Sequence, residues 1–212
     1  MADEQQRSVA AQTWLAARSA ALAGDPRSGS DPAAIMAVLL NMSFTSPLAH
    51  AELPGIAGER KALESWLDFY RVEVLARLEG LDEEQAGRRV LGSLTTLHGL
   101  VRHLTKVEHI WFVRVLAERD EPAPFGWPDV RDGDFRLDDS DGLDADVTAY
   151  LAARAHSREI VADLDMDAIR QLPHGDGEVD VRWVLLHMIE EYAQHLGHAD
   201  IVRELIDGTT QG

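Results

Sequence analysis

The stretch HMIEEYAQHLGHADIVREL, His187 to Leu205, places three histidines and two adjacent glutamates in a segment that otherwise carries helical spacing. At about 100° per residue, His187, Glu191 and His195 recur at intervals of four and drift by only about 40° each time, so they share one stripe. His198 falls back into the same arc. Val184, Val202 and Leu205 lie on that line, Ile201 and Ile206 flank it, and Arg203, Glu204 and Asp207 point away. A polar stripe between apolar residues on one line is drawn toward the interior when its neighbours are buried. Leu185, Ile189 and Leu196 on another side leave cover by the N-terminal segment or by a second subunit open. Burying imidazoles and a carboxylate without partners costs several kcal/mol, so the stripe demands compensation, and a bound cation supplies it.

Outward from this helix, three more long segments show spacing of three and four without internal proline. They run from about Glu59 to Leu78, Leu94 to Glu118 and Ala145 to Leu164. Asp180 is the expected N-cap of the last helix and Gly208 its terminating glycine. No alternation strong enough for a sheet is visible, so the fold class expected is an all-α four-helix bundle. Residues 119–142, RDEPAPFGWPDVRDGDFRLDDSDG, form a connection far longer than the roughly 2 to 8 residues that join antiparallel neighbours. It reads as a solvated crossover pinned by Phe125, Trp127 and Phe135, which lets the second and third helices run parallel. The segment QLPHGDGEVD reads as a loop with His174 exposed. Residues 1–52, with VAAQTWLAARSAALAG, the breaker cluster GDPRSGSDP and AAIMAVLLNM, read as an N-terminal extension, either helices docked on the body or poorly ordered chain; residues 53–208 form the expected domain.

The 212 residues, 45% hydrophobic, suffice for one sizeable core. With no cysteine, any metal must be held by His, Asp or Glu. A net charge of -17 and the lack of a basic stripe argue against nucleic acid. No apolar run approaches the roughly 20 residues of a membrane span, and the N-terminus lacks a signal-peptide pattern, so a cytoplasmic protein is expected. Glu191 and His195, four apart, can both reach a metal if a third ligand comes from another helix. On the second helix Leu100, Leu104, Val107 and Trp111 define the buried side; His103 borders it, whereas His98 and His109 fall beyond it. Glu108, on the buried side, needs a partner, with Arg182 the expected one.

The segments LHGLVRHLTKVEHIWF and RWVLLHMIEEYAQHLGHADIVRELIDG resemble the DinB-like superfamily of metal-binding four-helix bundles, which includes mycothiol-dependent maleylpyruvate isomerase and bacillithiol-type thiol transferases. The resemblance covers about Leu53 to Gly208 and implies metal ligands at His103, Glu191 and His195, together with an up-down-down-up topology. The mycothiol-dependent isomerases are similar in having Glu at the position of Glu191, where many relatives have His. VLGSLTTLHGL departs from the proline-serine turn usual there and leaves the start of the second helix open. The resemblance implies a divalent metal, zinc first with nickel, iron or manganese as alternatives, and a low-molecular-weight thiol such as mycothiol as cosubstrate in S-transfer or isomerisation of a small-molecule substrate. His198 is the candidate catalytic residue, as a base beside an open coordination position or as a group supporting the ligands. The competing expectations are a metal-dependent hydrolase and a catalytically silent metal-binding bundle, acting as a structural or ligand-binding protein and dimerising with its own copy.

Overall fold

The computed structural model describes residues 43–49, 51–126, 131–138, 142–173 and 177–210. The expectations for residues 1–42, Trp127 and His174 lie outside the described residues.

The chain is mostly helical. Helix α1 spans Glu59–Ala76 and is followed by a single turn, α2, at Glu83–Ala86. Helix α3 spans Leu97–Glu108 and continues as a π-helix over His109–Leu116. Two short 3-10 turns, Pro124–Gly126 and Gly133–Phe135, lie in the crossover; then come α4, Leu143–Ala162, and α5, Val181–Asp207. Helix α1 packs on α5, and α3 packs on both α4 and α5. Among the described residues no helix is long and apolar enough to cross a membrane.

The helix ends follow from local chemistry. Thr96 caps α3 by accepting the Gly99 amide at 2.9 Å, in place of the proline-serine turn. Asp180 accepts the Trp183 amide at 2.7 Å, and Gly208 closes α5 at φ 77. The π-helical continuation of α3 turns Phe112, Val113, Val115 and Leu116 inward together and leaves Trp111 at the edge of the core, not on the central stripe that regular spacing predicts. Trp66, which recurs with Leu63, Leu67 and Tyr70 at helical spacing in the sequence, is 43% exposed, and Arg71 is buried on this helix.

One expected loop is a small hairpin. Strands β1 (Ile169–Gln171) and β2 (Glu178–Asp180) pair antiparallel with Ile169 opposite Asp180, and β2 runs straight into α5. Three-residue strands are too short for alternation to show in the sequence.

The interior holds a strong polar network around Glu108. Glu108, 0% exposed, receives both the Nε and one Nη of Arg71 at 2.7 Å and the Tyr192 hydroxyl at 2.7 Å. The expected partner, Arg182, instead joins Glu59 and Asp167 at the surface, because it sits on the first turn of α5 and Glu108 lies level with Tyr192, almost three turns on.

Candidate metal centre

The buried side of α5 runs through Val181, Val184, Leu185, Met188, Tyr192, Leu196, Ala199 and Val202. Its centre lies nearer Tyr192 than the polar stripe, so Glu191 and His195 occupy the border of the core at the azimuth of Val184 and Val202. His187, His198 and Leu205 lie about 40° further toward solvent. Leu205 is accordingly 54% exposed and Ile201 is exposed, while Arg203, expected outside, is buried. Its guanidinium donates to the carbonyls of Arg77 and Glu79 at 2.8 Å, which draws the side chain inward.

At that border α3 brings His103 against α5. His103, Glu191 and His195 offer ligand atoms that all lie within 4.8 Å of one another, and each side chain is mostly buried. His103 Nε2 is 3.3 Å from Glu191 Oε1, and His195 Nε2 is 3.4 Å from the same oxygen. The two imidazoles meet edge to face with centroids 4.5 Å apart.

The other nitrogen of His103 is fixed as well. Nδ1 lies 2.6 Å from Asp134 Oδ2, so an Nδ1–H donates to that carboxylate and Nε2 is left facing Glu191, with a proton when the imidazole is charged and a lone pair when it is neutral. Asp134 comes from the crossover, is itself buried and also accepts from Lys106. Asp132, at φ 55, starts the 3-10 turn that aims Asp134 inward, a left-handed conformation that a short polar side chain tolerates. Phe135, next in sequence, stacks on the His103 ring at 5.0 Å. Gly99 makes room for it: a Cβ there would meet Phe135 Cδ1 and Thr96 Oγ1, each at 3.0 Å.

Among the protein groups alone the electrostatics favour a charged His103 that donates from both ring nitrogens, and a bound cation would take the place of the Nε2 proton. Burial pushes the Asp134 carboxyl up, but hydrogen bonds from His103 and Lys106 outweigh it and hold the group at about 2. Hydrogen bonds from His103 and His195 pull Glu191 far below the usual carboxylate range, against a smaller effect of burial. Burial lowers the His103 imidazole, yet Asp134 and Glu191 prevail and raise it.

His198 is exposed, and its Nδ1 lies 3.4 Å from His195 Nδ1. His187 sits one turn before Glu191, stacked on Trp183 at 5.1 Å and edge-on to Trp111 at 4.4 Å, with Glu190 3.4 Å from its Nδ1. Trp183, His187, Glu191 and His195 thus form one row at four-residue spacing, with an aromatic wall beside the polar trio. The remaining histidines of α3 and its continuation have other duties. His98, placed beyond the buried side by spacing, is 2% exposed and contacts Asp146 of α4 at 2.7 Å, because α4 covers that face of α3. His109 meets the Glu121 carbonyl at 3.2 Å.

Sequence reasoning missed Asp134, which an acidic crossover hides among many aspartates. The usable signal was the GDF triplet: an apolar ring beside one aspartate marks the point where a solvated connection touches the body.

Two imidazole nitrogens and a carboxylate oxygen form a donor set suited to a divalent cation. Bonds of about 2.0 to 2.1 Å in a tetrahedral shell put neighbouring donors about 3.3 Å apart. The separations of 3.3 and 3.4 Å match that edge and exceed the roughly 2.7 to 2.9 Å of a charge-assisted hydrogen bond. The carboxylate behind His103 is the support that metal-binding histidines usually have. No curated protein matches the chain. The profile of the family described as "MST: Mycothiol-S-transferase" does match, over residues 62–208, a span that takes in both helices of the trio and the crossover that supports them. On that match the chain belongs to the mycothiol S-transferase family of the DinB-like superfamily.

Proposed function

We propose that His103, Glu191 and His195 hold a divalent metal, zinc by preference, and that the protein transfers a low-molecular-weight thiol of the mycothiol class to a small electrophile. The observation that carries this reading is the pair of tetrahedral-edge separations around Glu191 Oε1, with Asp134 fixing the tautomer of His103. Three protein ligands leave the fourth position of a tetrahedral site for substrate. A divalent cation there would retain one positive charge after Glu191 is counted, and so would favour the thiolate over the thiol of a bound cosubstrate at neutral pH.

The chain's own residues do the rest. Asp134 holds the His103 ring through Nδ1–H, and Phe135 blocks its rotation. His195 faces Glu191 through Nε2, so its Nδ1–H is directed at His198 Nδ1. Of the two roles open to His198, this geometry favours orienting His195, because a ring that accepts at Nδ1 has no free lone pair for a base. The thiol proton leaves to water, the sulfur forms a bond to the electrophilic carbon, and the leaving group departs with its electron pair. Trp111, His187 and Trp183 wall one side of the space where that carbon would lie.

In the same reading, residues 53–208 form one four-helix bundle of up-down-down-up course, and the protein acts in the cytoplasm. The deciding experiment measures metal content by mass spectrometry of protein purified without added metal. One equivalent is expected in the native chain and less than about a tenth in Glu191→Ala and His195→Ala, since losing one of three ligands removes much of the affinity. Variants that retain a full equivalent would refute the ligand set. Metal-loaded protein that conjugates no electrophile with any cellular thiol would refute the transferase.

A further inference from the structure

A cavity of about 770 Å³ lies between α1 and α4, and none of the three candidate metal ligands lines it. Its volume is in the range of small-molecule sites. Leu67, Phe112, Leu151, Val161 and Leu185 supply an apolar wall. Its charge is opposite to that of the protein: the described lining residues include Arg60, Lys61, Arg71, Arg154 and Arg158 against Glu64, Asp68 and Glu159, in a chain of net charge -17.

The imbalance centres on Asp68. One carboxylate serves three guanidinium groups: Arg71 at 3.1 Å, Arg154 at 3.4 Å and Arg158 in closer contact. Arg71 has Glu108 as well, and Arg158 has a further partner besides Asp68. Arg154 has only the long contact to Asp68, is 9% exposed, and its Nε finds no acceptor among the described residues. Lys61 at the rim is exposed and has no ion-pair partner among the described residues. A mostly buried cation with one distant counter-charge calls for a further anion.

We propose that this cavity binds a small amphipathic carboxylate, its head group on Arg154 and its apolar body along Phe112 and Leu151, at a site separate from the metal trio. Lys61 guides the carboxylate to the opening. The apolar wall sets the length and bulk of the tail, and Arg154 distinguishes acid from neutral analogue.

Calorimetric titration of the full chain with decanoate and with decan-1-ol at pH 7 tests this. One-to-one binding of decanoate at least about tenfold tighter than of the alcohol is expected, the discrimination of one charge-assisted contact. Arg154→Met should bring the two affinities together, and Arg154→Lys should restore part of the difference. Leu151→Trp, which fills the cavity, should abolish both. His195→Ala should leave both unchanged. Equal affinity for acid and alcohol, no saturable binding at millimolar ligand, or loss of decanoate binding in His195→Ala would each overturn the proposal. The last would place the carboxylate on the metal trio instead, so this outcome is separable from failure of the transferase reading. If Arg154→Met does not fold by circular dichroism, Leu151→Trp decides: native affinity in that variant would rule the cavity out.

Discussion

Asp134 ties the crossover to α3 through His103, and its removal separates support of the ligand from the ligand itself. Asp134→Asn keeps the shape but weakens the acceptor for Nδ1–H. We expect metal affinity to fall by about 10- to 100-fold with the stoichiometry retained, read by competition with a chelating dye. Unchanged affinity would mean that Asp134 serves Lys106 alone. Glu108 makes the complementary case in the core. Glu108→Gln leaves the Arg71 guanidinium buried beside a neutral amide, which should cost about 3 to 5 kcal/mol in urea unfolding. Tyr192→Phe removes one hydrogen bond to that carboxylate and should cost about 1.5 to 3 kcal/mol. Of these groups, Glu191 and His195 were legible in the sequence because one helix sets their spacing, and His103 because it borders an apolar stripe. Asp134 and Arg71 were not, since their partners lie 31 and 37 positions away and only tertiary packing pairs them.

Among the elements, α3 shows how a backbone detail reaches the site. In an exposed helix, Gly99→Ala would gain about 1 kcal/mol from propensity. Here the added methyl would press on Phe135 and on the Thr96 hydroxyl that caps the helix. Overpacking of about 1 to 3 kcal/mol offsets the gain, so net destabilisation of about 1 kcal/mol is expected by thermal melting, with weaker metal binding because Phe135 stacks on His103. A variant more stable than the native chain would show that the crossover yields freely at this point. The ends of α5 were legible because Asp180 and Gly208 act through local geometry. The π-helical stretch was not, because the apolar run IWFVRVL fits a regular helix equally well until neighbours decide which residues face inward.

For the whole molecule, net charge and carboxylates held low by their partners, Asp68, Asp134 and Glu191 among them, set the response to acid. At pH 7 the chain carries a net charge of -17, and its self-repulsion opposes compactness. Lowering the pH toward 5 protonates His103, whose folded value Asp134 and Glu191 raise, so the excess falls and stability should rise. A second effect opposes this at lower pH. Burial pushes the Asp68 carboxyl up, but Arg71, Arg154 and Arg158 outweigh it and hold the folded value below the reference of 3.8. A carboxyl with a depressed folded pKa contributes stability that is present above its unfolded value and is lost as the pH falls through the folded one. Protonation would also leave the three guanidinium groups without their shared counter-ion, adding repulsion within the cluster. Urea unfolding of the metal-free protein across pH 2.5 to 8 should therefore give a stability maximum at about pH 5 to 6, followed by a steep fall below about pH 4. Asp68→Asn should flatten that acid limb while lowering stability at pH 7, because the counter-charge is then missing at every pH. If its acid limb coincides with that of the native chain, the cluster between α1 and α4 does not govern acid unfolding.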